Sequence, residues 1–200
     1  MKPLPIGIQD FAEVMTDGYL YVDKTRNIFD LVKPRKGYYF LSRPRRFGKS
    51  LLISTLDELF SGKRELFKGL WIDEHSSYAW PKHPVIRIDF SKIPSGDAMT
   101  LSRGLNERLN EISSLYEVLI EPDLNVSIYL NRLIRGLFSK FKSKIIILID
   151  EYDSPIISNI NDTDVATANR KLLAEFYRTI KASDEYLRFV FLTGVSKFAK

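Results

Sequence analysis

Arg43-Pro44-Arg45-Arg46-Phe47-Gly48-Lys49-Ser50 reads as a phosphate-binding loop, and KIIILIDEYD over residues 144–153 reads as a strand that carries carboxylates to the same site. Phosphate oxygens need backbone N–H groups converging at a helix N-terminus, a small residue where the chain hugs the anion, and a lysine that reaches the terminal phosphates. Gly48, Lys49 and Ser50 stand in that order. The usual spacing, G-x-x-x-x-G-K-[ST], has Arg43 in its first position here, so GKS alone also fits a basic surface turn. Its flanks favour the loop. Residues 36–42 (KGYYFLS) predict a short buried strand, and Leu51, Leu52, Leu56, Leu59 and Phe60 follow at helical spacing. Residues 145–149 are an unbroken apolar run, as a parallel strand covered on both faces requires. Asp150 and Glu151 close that run at the end where open α/β sheets bind ligands.

Composition sets bounds around this reading. The chain of 200 residues is 44% hydrophobic, enough for one domain with a full core, so residues 1–200 are read as a single unit. It has no cysteine, which excludes disulfides and thiolate metal sites. The opening residues MKPLPIGIQDF lack the apolar stretch of a signal peptide, and no run approaches membrane-spanning length, so a cytoplasmic protein without membrane partners is expected. The net charge of +5 is concentrated in residues 33–36 (KPRK) and 43–49, on either side of the first strand, a patch suited to nucleotide phosphates or nucleic acid.

Strands and helices alternate along the chain. Asp23 predicts an N-cap for a helix carrying Ile28, Phe29 and Val32, which Pro34 ends. The helix after the loop runs to about Phe60, and a second short helical piece contains Leu66, Phe67 and Leu70. Residues 85–90 (VIRIDF) alternate apolar and polar side chains, as a strand does. Amphipathic helices follow at Leu101, Leu105, Leu109 and Ile112, then over residues 125–141. A last helix spans about 165–182, and residues 187–195 (LRFVFLTGV) form the last strand. This order predicts a mostly parallel sheet between layers of helices, with right-handed crossovers.

Tyr21-Val22-Asp23-Lys24-Thr25, LSRPRRFGKS over 41–50, Phe60-Ser61-Gly62, Pro84-Val85, ILIDEYD over 147–153 and Thr193-Gly194-Val195-Ser196-Lys197-Phe198 occur in this order. Together they resemble the AAA-ATPase-like domain of bacterial and archaeal proteins, over nearly the whole chain. The resemblance implies a three-layer α/β/α P-loop NTPase, a loop that characteristically lacks the first glycine, and a C-terminal domain similar to PD-(D/E)XK nucleases in typical members. No lysine here has an acidic residue two positions before it, so these residues do not supply the (D/E)-x-K half of such a nuclease site. A glutamate beside the strand-end aspartate implies a sheet in which the fourth strand lies between the first and third. A fifth strand would flank the first, followed by a lid. The chain is therefore read as the N-terminal portion of a longer parent, and an open edge at residues 38–41 would favour self-association.

The expected cofactors are ATP and Mg²⁺, and the expected activity is ATP hydrolysis that drives or regulates a partner or nuclease-like domain. Phosphoryl transfer is catalysed mainly by positioning and charge stabilisation. Lys49 would contact the β- and γ-phosphates, Ser50 would place its hydroxyl on Mg²⁺, and Asp150 would hold the same ion. Glu151 would orient or deprotonate the attacking water. Arg45, Arg46, Phe47, Gly48 and Leu51 would complete the nucleotide contacts, although either arginine also fits a salt bridge or a solvated charge. Thr193 and Ser196 fit a polar sensor of the γ-phosphate or simple satisfaction of the turn around Gly194. Asp153 fits a cap on the next turn or a contact to a water beside the metal, with the structural role favoured. The other function class is a nucleic-acid-binding module in which the basic segment contacts backbone and the nucleotide site is a remnant. The four residues Lys49, Ser50, Asp150 and Glu151 favour the ATPase, because a remnant has no chemical need for all of them.

Overall fold

The computed structural model describes residues 2–121 and 123–196. In chain order the elements are α1 (Phe11–Thr16), α2 (Thr25–Val32), β1 (Gly37–Ser42), α3 (Lys49–Phe60), α4 (Trp71–His75), β2 (Val85–Asp89), α5 (Ala98–Leu115), α6 (Val126–Phe141), β3 (Ile145–Asp150), α7 (Ser154–Ile157), α8 (Thr163–Ala182) and β4 (Leu187–Gly194). Short 3₁₀ turns lie at Arg64–Phe67, Phe90–Lys92 and Asp184–Tyr186.

Local chemistry starts most of the longer helices. Asp97 accepts the Thr100 amide at α5, Asn125 accepts those of Ser127 and Ile128 at α6, and Asp162 accepts that of Val165 at α8. Each satisfies amides that the first helical turn leaves without a partner. Asp23 departs from the expected cap. The N-cap of α2 is Lys24, which makes no side-chain bond. Asp23 instead takes the Thr25 amide at 2.8 Å and, with its other oxygen, the Trp71 amide at 2.7 Å, fastening α2 to the start of α4. The piece expected around Leu66 to Leu70 is likewise a 3₁₀ turn followed by α4, with Leu70 as the cap.

The four strands form one parallel sheet in the order β1-β4-β3-β2, so the fourth strand lies between the first and third. β3 is central and every residue of it is buried, which accounts for its apolar run. Ile145, Ile147 and Ile149 pack against α5, α6 and α8, while Ile146 and Leu148 pack against α1, α2 and α3. This is the three-layer α/β/α arrangement. β2 is an edge strand, and α5 covers it: the Arg108 guanidinium donates to the Arg87 carbonyl at 3.1 and 3.0 Å. β1 is the other edge. Its Tyr39 and Leu41 pack against the α3 layer, whereas Tyr38 and Phe40 on the opposite face are exposed, and its outer side pairs with no strand among the described residues.

The expected single basic patch is divided by this topology. Residues 33–36 precede β1 and residues 43–49 follow it, so they stand at opposite ends of a six-residue strand, about 20 Å apart.

Candidate functional site

The C-terminal ends of β1, β3 and β4 converge on the 43–48 loop. Arg46 has φ 67° and Gly48 has φ 73°, so the chain turns twice into the left-handed region before α3 begins. Such turns aim successive N–H groups into one concavity. Gly48 is the N-cap of α3, and the space a Cβ would occupy there is open. The amides of Lys49, Ser50 and Leu51 lie in the first helical turn, where no carbonyl of the helix can reach them. Arg45, Arg46 and Phe47 are exposed, and neither arginine has an ion-pair partner among the described residues.

Lys49 points inward. Its side chain is almost fully buried, and Nζ lies 3.3 Å from Glu151 Oε1 and 3.3 Å from the Pro44 carbonyl. Glu151 takes φ 51°, a region that costs a residue with a Cβ roughly 1 to 3 kcal/mol. That turn points its amide at Asp150 Oδ1, at 3.1 Å, and at Thr193 Oγ1, at 3.4 Å. The Thr193 hydroxyl donates to the same Asp150 oxygen. Asp150 Oδ2 has no hydrogen bond among the described residues, and Asp150 and Ser50 line one cavity of about 290 Å³.

Five further charged groups on that cavity escaped the sequence reading: Asp10, Glu13, Arg87, Asp89 and Lys92. Asp89 is level with Asp150 in the β2–β3 register. The signal was present in the sequence, since both strands end in Ile-Asp at 88–89 and 149–150. Asp10 comes from the N-terminal segment, held against α3 by the bond from the Phe11 amide to Ser54 Oγ at 2.9 Å.

Asp153 and Ser196 form a brace beside the site. Asp153 is fully buried, and its Oδ2 accepts the amides of Val195 and Ser196 at 2.9 and 2.7 Å and the Ser196 hydroxyl at 2.6 Å. It makes no side-chain cap on α7. Asp153→Ala would strip a buried loop of these partners and is expected to cost about 3 kcal/mol, measured by urea unfolding; a loss of a few tenths would show that water replaces the carboxylate. Gly194 has no room for a side chain, because a Cβ there would meet the Tyr152 ring at 2.5 Å and Asp153 Oδ1 at 2.7 Å. Gly194→Ala should therefore destabilise by about 1 to 3 kcal/mol in the same assay, through forced movement of a packed ring. An unchanged midpoint would mean the turn shifts freely. Lys197 and Phe198, the end of the TGVSKF motif, lie outside the described residues.

Residues 5–200 match the family described as Predicted AAA-ATPase, and the chain belongs to this AAA-ATPase-like family. It is also similar to a protein of Azotobacter chroococcum mcd 1 named "Uncharacterized protein in vnfD 5'region", with 41% identity over 201 residues. That match takes in 100% of this chain and 38% of the relative, so the chain spans well under half the relative's length. No solved structure matches it. Among the described residues, no helix is long and apolar enough to cross a membrane.

Proposed function

We propose that the chain binds ATP with Mg²⁺ at the C-terminal ends of β1, β3 and β4 and hydrolyses it, driving or regulating a partner segment. The observation that carries this reading is the 3.3 Å contact between Lys49 Nζ and Glu151 Oε1, which brings together a buried lysine and a partly exposed carboxylate far apart in sequence. A buried lysine held by a carboxylate is a cation kept ready for an anion.

The residues present fit a magnesium–triphosphate. The amides of the 46–51 segment and the open space at Gly48 suit phosphate oxygens, and a hydroxyl and a carboxylate oxygen face one cavity. Magnesium needs no larger protein cage, because it keeps water and phosphate oxygens as most of its ligands. Ser50 and Asp150 would hold it, and its charge would offset that of the phosphates. Lys49 would exchange Glu151 for phosphate, and Leu51 would contribute its amide. The released Glu151 carboxylate would orient a water molecule and take its proton. Thr193 would fix Asp150 and, through the Glu151 amide, the turn that carries the base. Ser196 would act through Asp153, and Arg45 or Arg46 would reach phosphate from the loop.

Calorimetric titration with ATP, in the presence of Mg²⁺ and then of a chelator, tests this. Saturable binding that weakens when the metal is removed is expected. No binding in either condition would sink the proposal.

A further inference from the structure

The face at the strand starts, opposite the candidate nucleotide end, carries its own cluster of cations. Arg35 and Lys36 precede β1, Lys82 precedes β2, Lys144 precedes β3, and all four are exposed. Parallel strands bring these residues to one end of the sheet. Contacts tie the group together. Lys36 Nζ binds the Asp184 side chain and carbonyl, and His83 Nδ1 is 2.8 Å from the Lys144 carbonyl.

Arg188 completes the cluster. The β3–β4 register skips this residue, a bulge of the kind that re-aims a side chain. Its guanidinium donates to the Val32 carbonyl at 2.6 Å, while Nη1 is buried with no hydrogen-bond partner, and no carboxylate pairs with it among the described residues. The nearby Tyr78 hydroxyl is also buried and without a partner. Burial lowers His83 below its ordinary value, so at neutral pH it adds no charge of its own. Asp184 and Glu185 stand against the group and do not balance it.

Helix dipoles explain part of this charge. Lys33, Lys142 and Lys181 lie at the C-terminal ends of α2, α6 and α8, where a cation is favourable without any partner. Lys36 is paired with Asp184 and Lys82 lies against Gly62 at the C-terminal end of α3, so both are partly accounted for, whereas Lys144 and Arg188 begin strands that carry no comparable dipole. Neighbouring strands lie about 4.8 Å apart, so the row from Lys36 to Lys82 covers roughly 14 Å, comparable to the rise of about four nucleotides along a duplex axis. We propose that this strand-start face binds the sugar–phosphate backbone of nucleic acid, independently of the nucleotide site at the other end of the sheet.

The test is anisotropy of a short labelled duplex titrated with the whole chain at low and at physiological salt. Binding should weaken steeply with salt. The triple change K36Q/K82Q/K144Q should lower affinity about tenfold or more and reduce the salt slope by about 0.9 for each phosphate left without its cation, with ATP binding unchanged. The single change Lys144→Glu should act in the same direction. R43Q/R45Q/R46Q, at the opposite end, and Lys49→Met should both leave duplex binding intact. The proposal is overturned if the wild-type chain fails to bind at low salt, if R43Q/R45Q/R46Q rather than the strand-start triple abolishes binding, or if the chain binds phosphatidylserine vesicles and not the duplex. Because the ATP titration is read separately, loss of one activity with the other retained shows which assignment has failed.

Discussion

Lys49→Ala is expected to lower the affinity for Mg²⁺-ATP by about tenfold to a hundredfold, since a charge-assisted hydrogen bond in a shielded site contributes roughly 1.5 to 3 kcal/mol. The local geometry strengthens the expectation. Lys49 is buried with its ammonium between Glu151 and Pro44, and removing it leaves the Glu151 carboxylate facing the incoming phosphates without a cation between them. Repulsion between like charges would then add to the missing hydrogen bond. Truncation to alanine also empties the space of a buried stem, so Lys49→Met is the companion variant, keeping most of the volume without the charge. Both should lose affinity in calorimetric titration, and the methionine variant should melt closer to the wild-type temperature. Unchanged affinity in a folded Lys49→Met protein would remove the phosphate-loop assignment.

The elements that were legible in the sequence are those whose cause is local. Residues 145–149 had to be a doubly covered strand because five consecutive apolar residues leave no polar face, and β3 is buried throughout. The amphipathic spacing of Leu101, Leu105, Leu109 and Ile112 likewise fixes the buried face of α5. Even the strand order followed from the Asp150-Glu151 pair, through the resemblance it carries.

Illegible features come from contacts between distant segments. Asp23 and Asp153 both precede short helices and look like caps, yet Asp23 bonds an amide 48 residues away and Asp153 bonds amides 42 and 43 residues away. A carboxylate beside a helix start has the same local pattern in either role, and only the tertiary neighbours decide. Glu151 is illegible for another reason: nothing in its residue type favours a left-handed φ, so the strain is imposed by the surrounding turn. The division of the basic segments into two faces requires only the length of β1. Charge counted along the chain, rather than across the sheet, hides it.

Glu151→Gln should separate binding from turnover. The amide keeps the length and shape of the side chain and the same Cβ, so the strain at φ 51° is common to both proteins and cancels from the comparison. What changes is charge. Glutamine cannot take a proton from water, and loss of a positioned base is expected to slow phosphate release about a hundredfold or more. Binding should move differently. In the wild-type chain Lys49 must give up its 3.3 Å contact with Glu151 to reach a phosphate, whereas in the variant it gives up only a neutral amide. Affinity for Mg²⁺-ATP should therefore be equal or higher, while turnover falls. The two measurements fail separately. Undiminished phosphate release would show that Glu151 is not the base, and a marked loss of ATP affinity would show that it helps hold the nucleotide rather than competing with it for Lys49.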